Sequence, residues 1–191
     1  GPYALACAKL IPQRLDYVGL MAGIGPMDLP PIRRGQLLPL KLLFGLASIH
    51  PRLAAALLLP DAWLFRHAPE RALAALSGLL TAPDRELLQN NASLRARFCA
   101  SFVEAYRQGT TAACQEATLI GRLNADLLRE ITIPVQVYQG GLDRHVPVEM
   151  GRHIAATLPA ARFHFYPNEG HLSVLVNRFP EFVSHIRGAN F

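Results

Sequence analysis

The feature that most limits what this chain can fold into is a pair of short apolar runs in its last third, joined by one amphipathic helix. The first run, residues 131–139, is β-branched around Val135 and Val137. Pro147 then opens a helical stretch with Ile154, Ala155 and Leu158 on one face, and Pro159 closes it. The second run covers residues 162–166, and a last helix is expected over 174–186. Parallel strands cannot be joined by a tight hairpin, so strand, crossover helix, strand reads as two parallel neighbours. A third run, residues 17–23, is apolar almost throughout, which suits a strand covered on both faces. A helix is expected before it, over residues 2–11, where Ala4, Ala6, Cys7 and Ala8 permit close packing on a sheet. These elements make the chain α/β.

The stretch from Arg33 to Glu130 has another texture. It is rich in Leu and Ala at helical spacing, and Pro39, Pro51, Pro60, Pro69 and Pro83 divide it. Four or five helices are expected, among them one long helix over 87–106 and another over 110–119. The organisation read from this contrast is a core segment 1–29, an all-helical insert 30–130, and a second core segment 131–191.

Composition narrows the function classes. Of 191 residues, 51% are hydrophobic and 17% charged, as in a folded globular chain. The net charge of +5 is scattered along the sequence, without the basic clusters of a nucleic-acid surface. Cys7, Cys99 and Cys114 are far apart and odd in number, which fits buried thiols in a reducing, cytoplasmic setting. The seven histidines form no HxxxH pair, so no metal or other cofactor is expected. Residues 36–59 are the longest apolar stretch, but Lys41, His50, Pro51 and Arg52 interrupt it, so no membrane span is expected.

Two of the apolar runs end in turns that carry an ionisable group. Gly140 and Gly141 lead to Asp143, and Gly170 leads to His171. An acid and a histidine at the carboxyl ends of neighbouring parallel strands lie where ligands gather on such sheets. They are two members of a nucleophile–histidine–acid triad. Asp143 can equally serve as a turn cap, and a lone loop histidine is usually surface; it is their pairing that points to chemistry. Asp28, just past the first strand, is the reserve acid. His145, His153, His164 and His185 are read as surface or packing residues.

These residues also carry a resemblance. GPYALACA resembles the helix that follows the nucleophile elbow of α/β-hydrolases, and RLDYVGLMAGIGP resembles their next strand. QGGLDRHVP is similar to their acid turn and NEGHLS to their histidine turn. The resemblance implies the C-terminal part of an α/β-hydrolase with an inserted all-helical cap. It makes Asp143 the acid and His171 the base, and sets the G-x-S-x-G serine about two residues before Gly1. Ser48, Ser77, Ser93, Ser101, Ser173 and Ser184 lack glycine flanks, and Cys7 lies inside a helix, so none is expected to replace it. The chain is then expected to be inactive alone, to need the N-terminal half of the same protein as its partner, and to expose the strand at 17–23 as an aggregation-prone edge.

The implied reaction is hydrolysis of a small apolar ester or related acyl compound. Phe44, Trp63, Phe65, Phe98, Phe102 and Tyr106 either line its pocket or pack the helical insert. Cofactor-free haloperoxidases, epoxide hydrolases, dehalogenases and prolyl peptidases share the scaffold. A non-catalytic binding module and a membrane-surface protein are the readings from other classes.

Overall fold

The computed structural model describes residues 1–188. The chain opens with helix α1 (Pro2–Leu10) and strand β1 (Val18–Met21). Six helices follow: α2 (Leu38–Ile49), α3 (Pro51–His67), α4 (Pro69–Ser77), α5 (Ala82–Asn90), α6 (Ala92–Ala105) and α7 (Thr111–Gly121). The last third runs β2 (Val135–Gly140), α8 (Val148–Thr157), β3 (Ala161–Tyr166), α9 (His171–Asn177) and α10 (Phe179–Gly188). Two compact units result, one from Gly1–Gln36 together with the chain from Leu123 on, the other from Leu37–Arg122.

The first unit is built on a three-stranded sheet in the order β1-β2-β3. Both pairings are parallel, with Val18 opposite Val135, and Tyr138 opposite His164. Side chains alternate between the two faces, as strand geometry requires. Val18, Leu20, Val135 and Val137 point to one face and are buried there with Leu5 and Ala8 of α1 and Ile154 of α8. Burying a side chain of this size is worth roughly 1.5–3 kcal/mol, so this layer is the main source of the unit's stability. The opposite face lies under α10. Gly19 leaves room there for the Phe182 ring, which a Cβ would meet, and Phe182 meets Tyr138 edge-on, with centroids 5.5 Å apart.

The second unit is all helix. Most of its prolines start helices rather than end them. Pro39, Pro51, Pro69 and Pro83 lie in first turns, where the missing N–H has no intrahelical partner to lose; Pro60 sits inside α3. Ala47 and Ala54 are fully buried, and Phe65 is 2% exposed. Gly121 lets α7 pass close to α2, since a Cβ there would run into the Phe44 carbonyl.

Three expectations are corrected. The segment between the first two strands holds six α-helices, not four or five. The expected helix over 87–106 is broken at Asn91, whose Oδ1 accepts the Leu94 N–H at 2.9 Å and so starts a new helix. The last helix begins at His171 rather than Val174, and splits at Arg178 into α9 and α10. Among the described residues, no helix is long and apolar enough to cross a membrane.

Candidate active site

Two loops leave the carboxyl ends of β2 and β3 and are stitched together. The Gly141 N–H donates to the Tyr166 carbonyl at 2.8 Å, and the Leu142 N–H to the Glu169 carbonyl at 2.9 Å. This approach is the reason for the glycine pair. A Cβ on Gly140 would lie 2.5 Å from both the Glu169 and Gly170 carbonyl oxygens, and one on Gly141 would lie 2.7 Å from the Pro167 carbonyl. The glycines therefore permit loop-to-loop contact, beyond the sharp turn that the sequence suggested.

That contact brings Asp143 and His171 together. His171 Nδ1 and Asp143 Oδ2 are 2.8 Å apart. The aspartate side chain is fully buried, while the imidazole is 31% exposed. The other carboxylate oxygen, Oδ1, accepts the His145 and Val146 N–H groups, both at 2.8 Å. Gln139 Nε2 makes a long contact of 3.4 Å to Oδ2 and donates to the Val146 carbonyl at 2.9 Å. Those backbone bonds form an Asx turn, so the capping role and the pairing role belong to the same carboxylate, one to each oxygen. A carboxylate that accepts Nδ1–H holds the imidazole in one tautomer, which leaves the lone pair on Nε2 and equips it to take a proton.

The histidine loop is fixed from behind. Gly170 donates its N–H to Ser173 Oγ at 2.7 Å. Glu169 is 6% exposed and accepts from Arg178 Nε at 3.1 Å and Asn177 Nδ2 at 3.0 Å. The loop is thereby tied to the far end of α9. On the other side, Gln36 Nε2 donates to the His145 carbonyl at 3.1 Å. Neither Gln139, Gln36 nor Glu169 was singled out from sequence. The one signal available for Gln139 was a polar residue inside an apolar strand just before the acid turn.

His145, expected as a surface or packing residue, packs its ring against His171 with centroids 5.0 Å apart at 30°. Its place two residues after the acid, in the Asx turn, was the available clue. Asp143, His145 and His171 also form a group whose donor atoms all lie within 4.8 Å of one another, so an ion there would compete with the Asp143–His171 hydrogen bond. The reserve acid Asp28 is engaged elsewhere: its Oδ2 accepts the Ala125 N–H at 3.3 Å. Ser48, Ser77, Ser101 and Ser184 donate to carbonyls three residues back, within or beside their own helices. Most of the aromatic candidates pack the helical unit. Phe65 stacks on Phe102 at 4.8 Å, and Phe98 meets Phe102 edge-on at 5.1 Å. Phe44 and Tyr106 are buried, while Trp63 is 62% exposed.

Solved structures share this arrangement of strands and helices. The chain is similar to a meta-cleavage product hydrolase from Pseudomonas fluorescens IP01, with a TM-score of 0.58 and 16% identity over 98% of this chain and 60% of that one. It is similar to MGS-M2, an α/β-hydrolase enzyme from a Medee basin deep-sea metagenome, with a TM-score of 0.56 and 13% identity over 98% of this chain and 60% of the other. The chain carries the α/β-hydrolase fold. An enol-lactonase from Burkholderia xenovorans LB400 has the same fold, with a TM-score of 0.52 and 17% identity over 97% of this chain and 60% of its own. The chain thus spans about 60% of the length of these structures. No family model matches its sequence, and no curated protein does.

Proposed function

We propose that this chain supplies the acid and base of an α/β-hydrolase that cleaves an ester or related acyl substrate through a serine–histidine–aspartate triad. The observation that carries the reading is the 2.8 Å contact between Asp143 Oδ2 and His171 Nδ1 at the ends of adjacent parallel strands. His171 takes the serine proton as the oxygen attacks the acyl carbon, and returns it to the departing alkoxide. It then activates water for release of the acid. Asp143 orients the ring and stabilises the imidazolium that forms at each step. The serine lies upstream of Gly1 in this reading, so the 191 residues alone do not turn over substrate; loss of a nucleophile costs on the order of a million-fold. The Leu- and Ala-rich insert, 30–130, favours substrates with an apolar part. The likeness to an enol-lactonase supports an ester-type bond, since a lactone is a cyclic ester.

The test is to read the codons upstream of Gly1, express the longer product and assay a p-nitrophenyl acyl ester. His171→Ala is expected to lower kcat by roughly a thousand-fold or more with the fold retained by circular dichroism. Undiminished turnover in that variant, or an elbow position without a nucleophile, overturns the proposal.

A further inference from the structure

A second group of ionisable side chains lies on the sheet face under α10, away from Asp143. His164 of β3 and Glu181 and His185 of α10 each offer a donor atom within 4.8 Å of the other two. Glu181 and His185 are four residues apart and share one face of their helix, and His164 rises from the strand beneath them. The His164 and His185 rings are 4.8 Å apart at 31°. Tyr138 stacks on His164 at 4.5 Å and 10°.

Each member has a hydrogen-bond partner behind it. His164 Nε2–H donates to Gln136 Oε1 at 2.7 Å, which leaves the lone pair on Nδ1. His185 Nδ1 lies 2.7 Å from the Tyr138 hydroxyl, and that hydroxyl is 3.0 Å from the hydroxyl of Tyr17. When the Tyr138 hydroxyl donates to Tyr17 it accepts from His185 Nδ1–H, the tautomer that leaves His185 Nε2 as a donor atom. The Tyr166 hydroxyl donates to Glu181 Oε1 at 2.8 Å. Metal-ligating histidines and carboxylates are held by such partners, which fix tautomer and orientation. Burial first, then His185 and Arg162, hold His164 below its ordinary pKa against the opposing pull of Glu181. The neutral ring is the form that ligates.

We propose that His164, Glu181 and His185 bind a divalent first-row transition ion of the zinc class. Two imidazoles and one carboxylate suit Zn²⁺, Co²⁺, Ni²⁺ or Cu²⁺ and not Mg²⁺ or Ca²⁺, which prefer all-oxygen shells. Bonds of about 2.0–2.1 Å set tetrahedral ligand atoms roughly 3.3 Å apart, so donor atoms already within 4.8 Å close by small side-chain rotations. Three protein ligands leave a fourth position to water. His164 and His185 also line a cavity of about 710 Å³, together with Tyr17, Gln136, Arg162 and Ser184, and it supplies that water. The cavity lies by Pro134 and Ala160, at the amino ends of β2 and β3. Asp143 and His171 follow the opposite, carboxyl ends of these strands. The ion fastens α10 to β3.

The test uses the whole chain, stripped of metal by chelation. Titration calorimetry with ZnCl₂ is expected to read one strong equivalent, Co²⁺ to give visible d–d bands, and Zn²⁺ to raise the melting temperature. Glu181→Gln and His185→Gln should each weaken Zn²⁺ at least tenfold, while His171→Ala leaves that equivalent unchanged. The two α10 variants are independent, so one carries the test if the other fails to fold. Binding that survives both α10 variants and disappears in His171→Ala places the ion at Asp143, His145 and His171 and overturns the proposal. Absence of saturable binding, or equal affinity for Mg²⁺, overturns it as well.

Discussion

Replacing Gly140 by alanine should damage the two-loop contact, and the geometry sets the size of the effect. The added Cβ would lie 2.5 Å from the carbonyl oxygens of Glu169 and Gly170. Carbon–oxygen contacts settle near about 3.3 Å, so the loops must part by roughly 0.8 Å. Both obstacles are backbone atoms and cannot rotate away. The Leu142 N–H to Glu169 carbonyl bond, now 2.9 Å, then stretches past hydrogen-bonding range. One or two lost backbone bonds at about 1 kcal/mol each, with about 1–3 kcal/mol of packing strain, give a loss of ~2–5 kcal/mol. That corresponds to a fall of roughly 4–20 °C in melting temperature. Gly45 of α2 is the control. A Cβ there meets nothing within 4 Å, and alanine in a helix interior gains roughly 0.5–1 kcal/mol over glycine. Urea and thermal melts followed by circular dichroism compare the two variants with the parent chain. Equal melting of Gly140→Ala and the parent, or shifts of the same sign in both variants, would refute the reasoning.

Two further outcomes are expected. His164 is held below its ordinary value of 6.5, by burial first. The unfolded chain therefore binds more protons, so stability is full above that pH, declines as pH falls through it, and levels off below the folded value. Urea midpoints between about pH 7.5 and 5, with chelator present, should show that decline, and His164→Asn should flatten it; an unchanged slope in the variant removes His164 as the cause. Asn91→Ala removes the acceptor of the Leu94 N–H and should cost about 1 kcal/mol. A loss below about 0.3 kcal/mol would mean that packing alone separates α5 from α6.

The legible parts of this chain were those governed by local rules. Apolar runs and crossover length announced three parallel strands, and the Leu/Ala texture announced a helical insert. Asn91 shows where such reading stops. Helical spacing continues across it, and only the capping bond to Leu94 reveals the break. His171 shows the same limit, since it reads as a turn residue and begins a helix. Sequence also pointed to Asp143 and His171 as a pair. It missed Gln139, His145 and Glu169, because a supporting role depends on what stands behind a side chain, and neighbours distant in sequence leave no local trace.

The sequence by itself determined the order of elements, the parallel hand-off from β2 to β3, and which acid and which histidine would end those strands. Periodicity, prolines and glycines are local quantities, and they suffice for that. Only the tertiary structure decided that the glycine pair serves loop-to-loop contact, and that one carboxylate oxygen caps a turn while the other meets an imidazole. It alone brought three side chains from β3 and α10 within one another's reach. Those outcomes depend on distances between segments far apart in the chain, which are set by packing on both faces of the sheet.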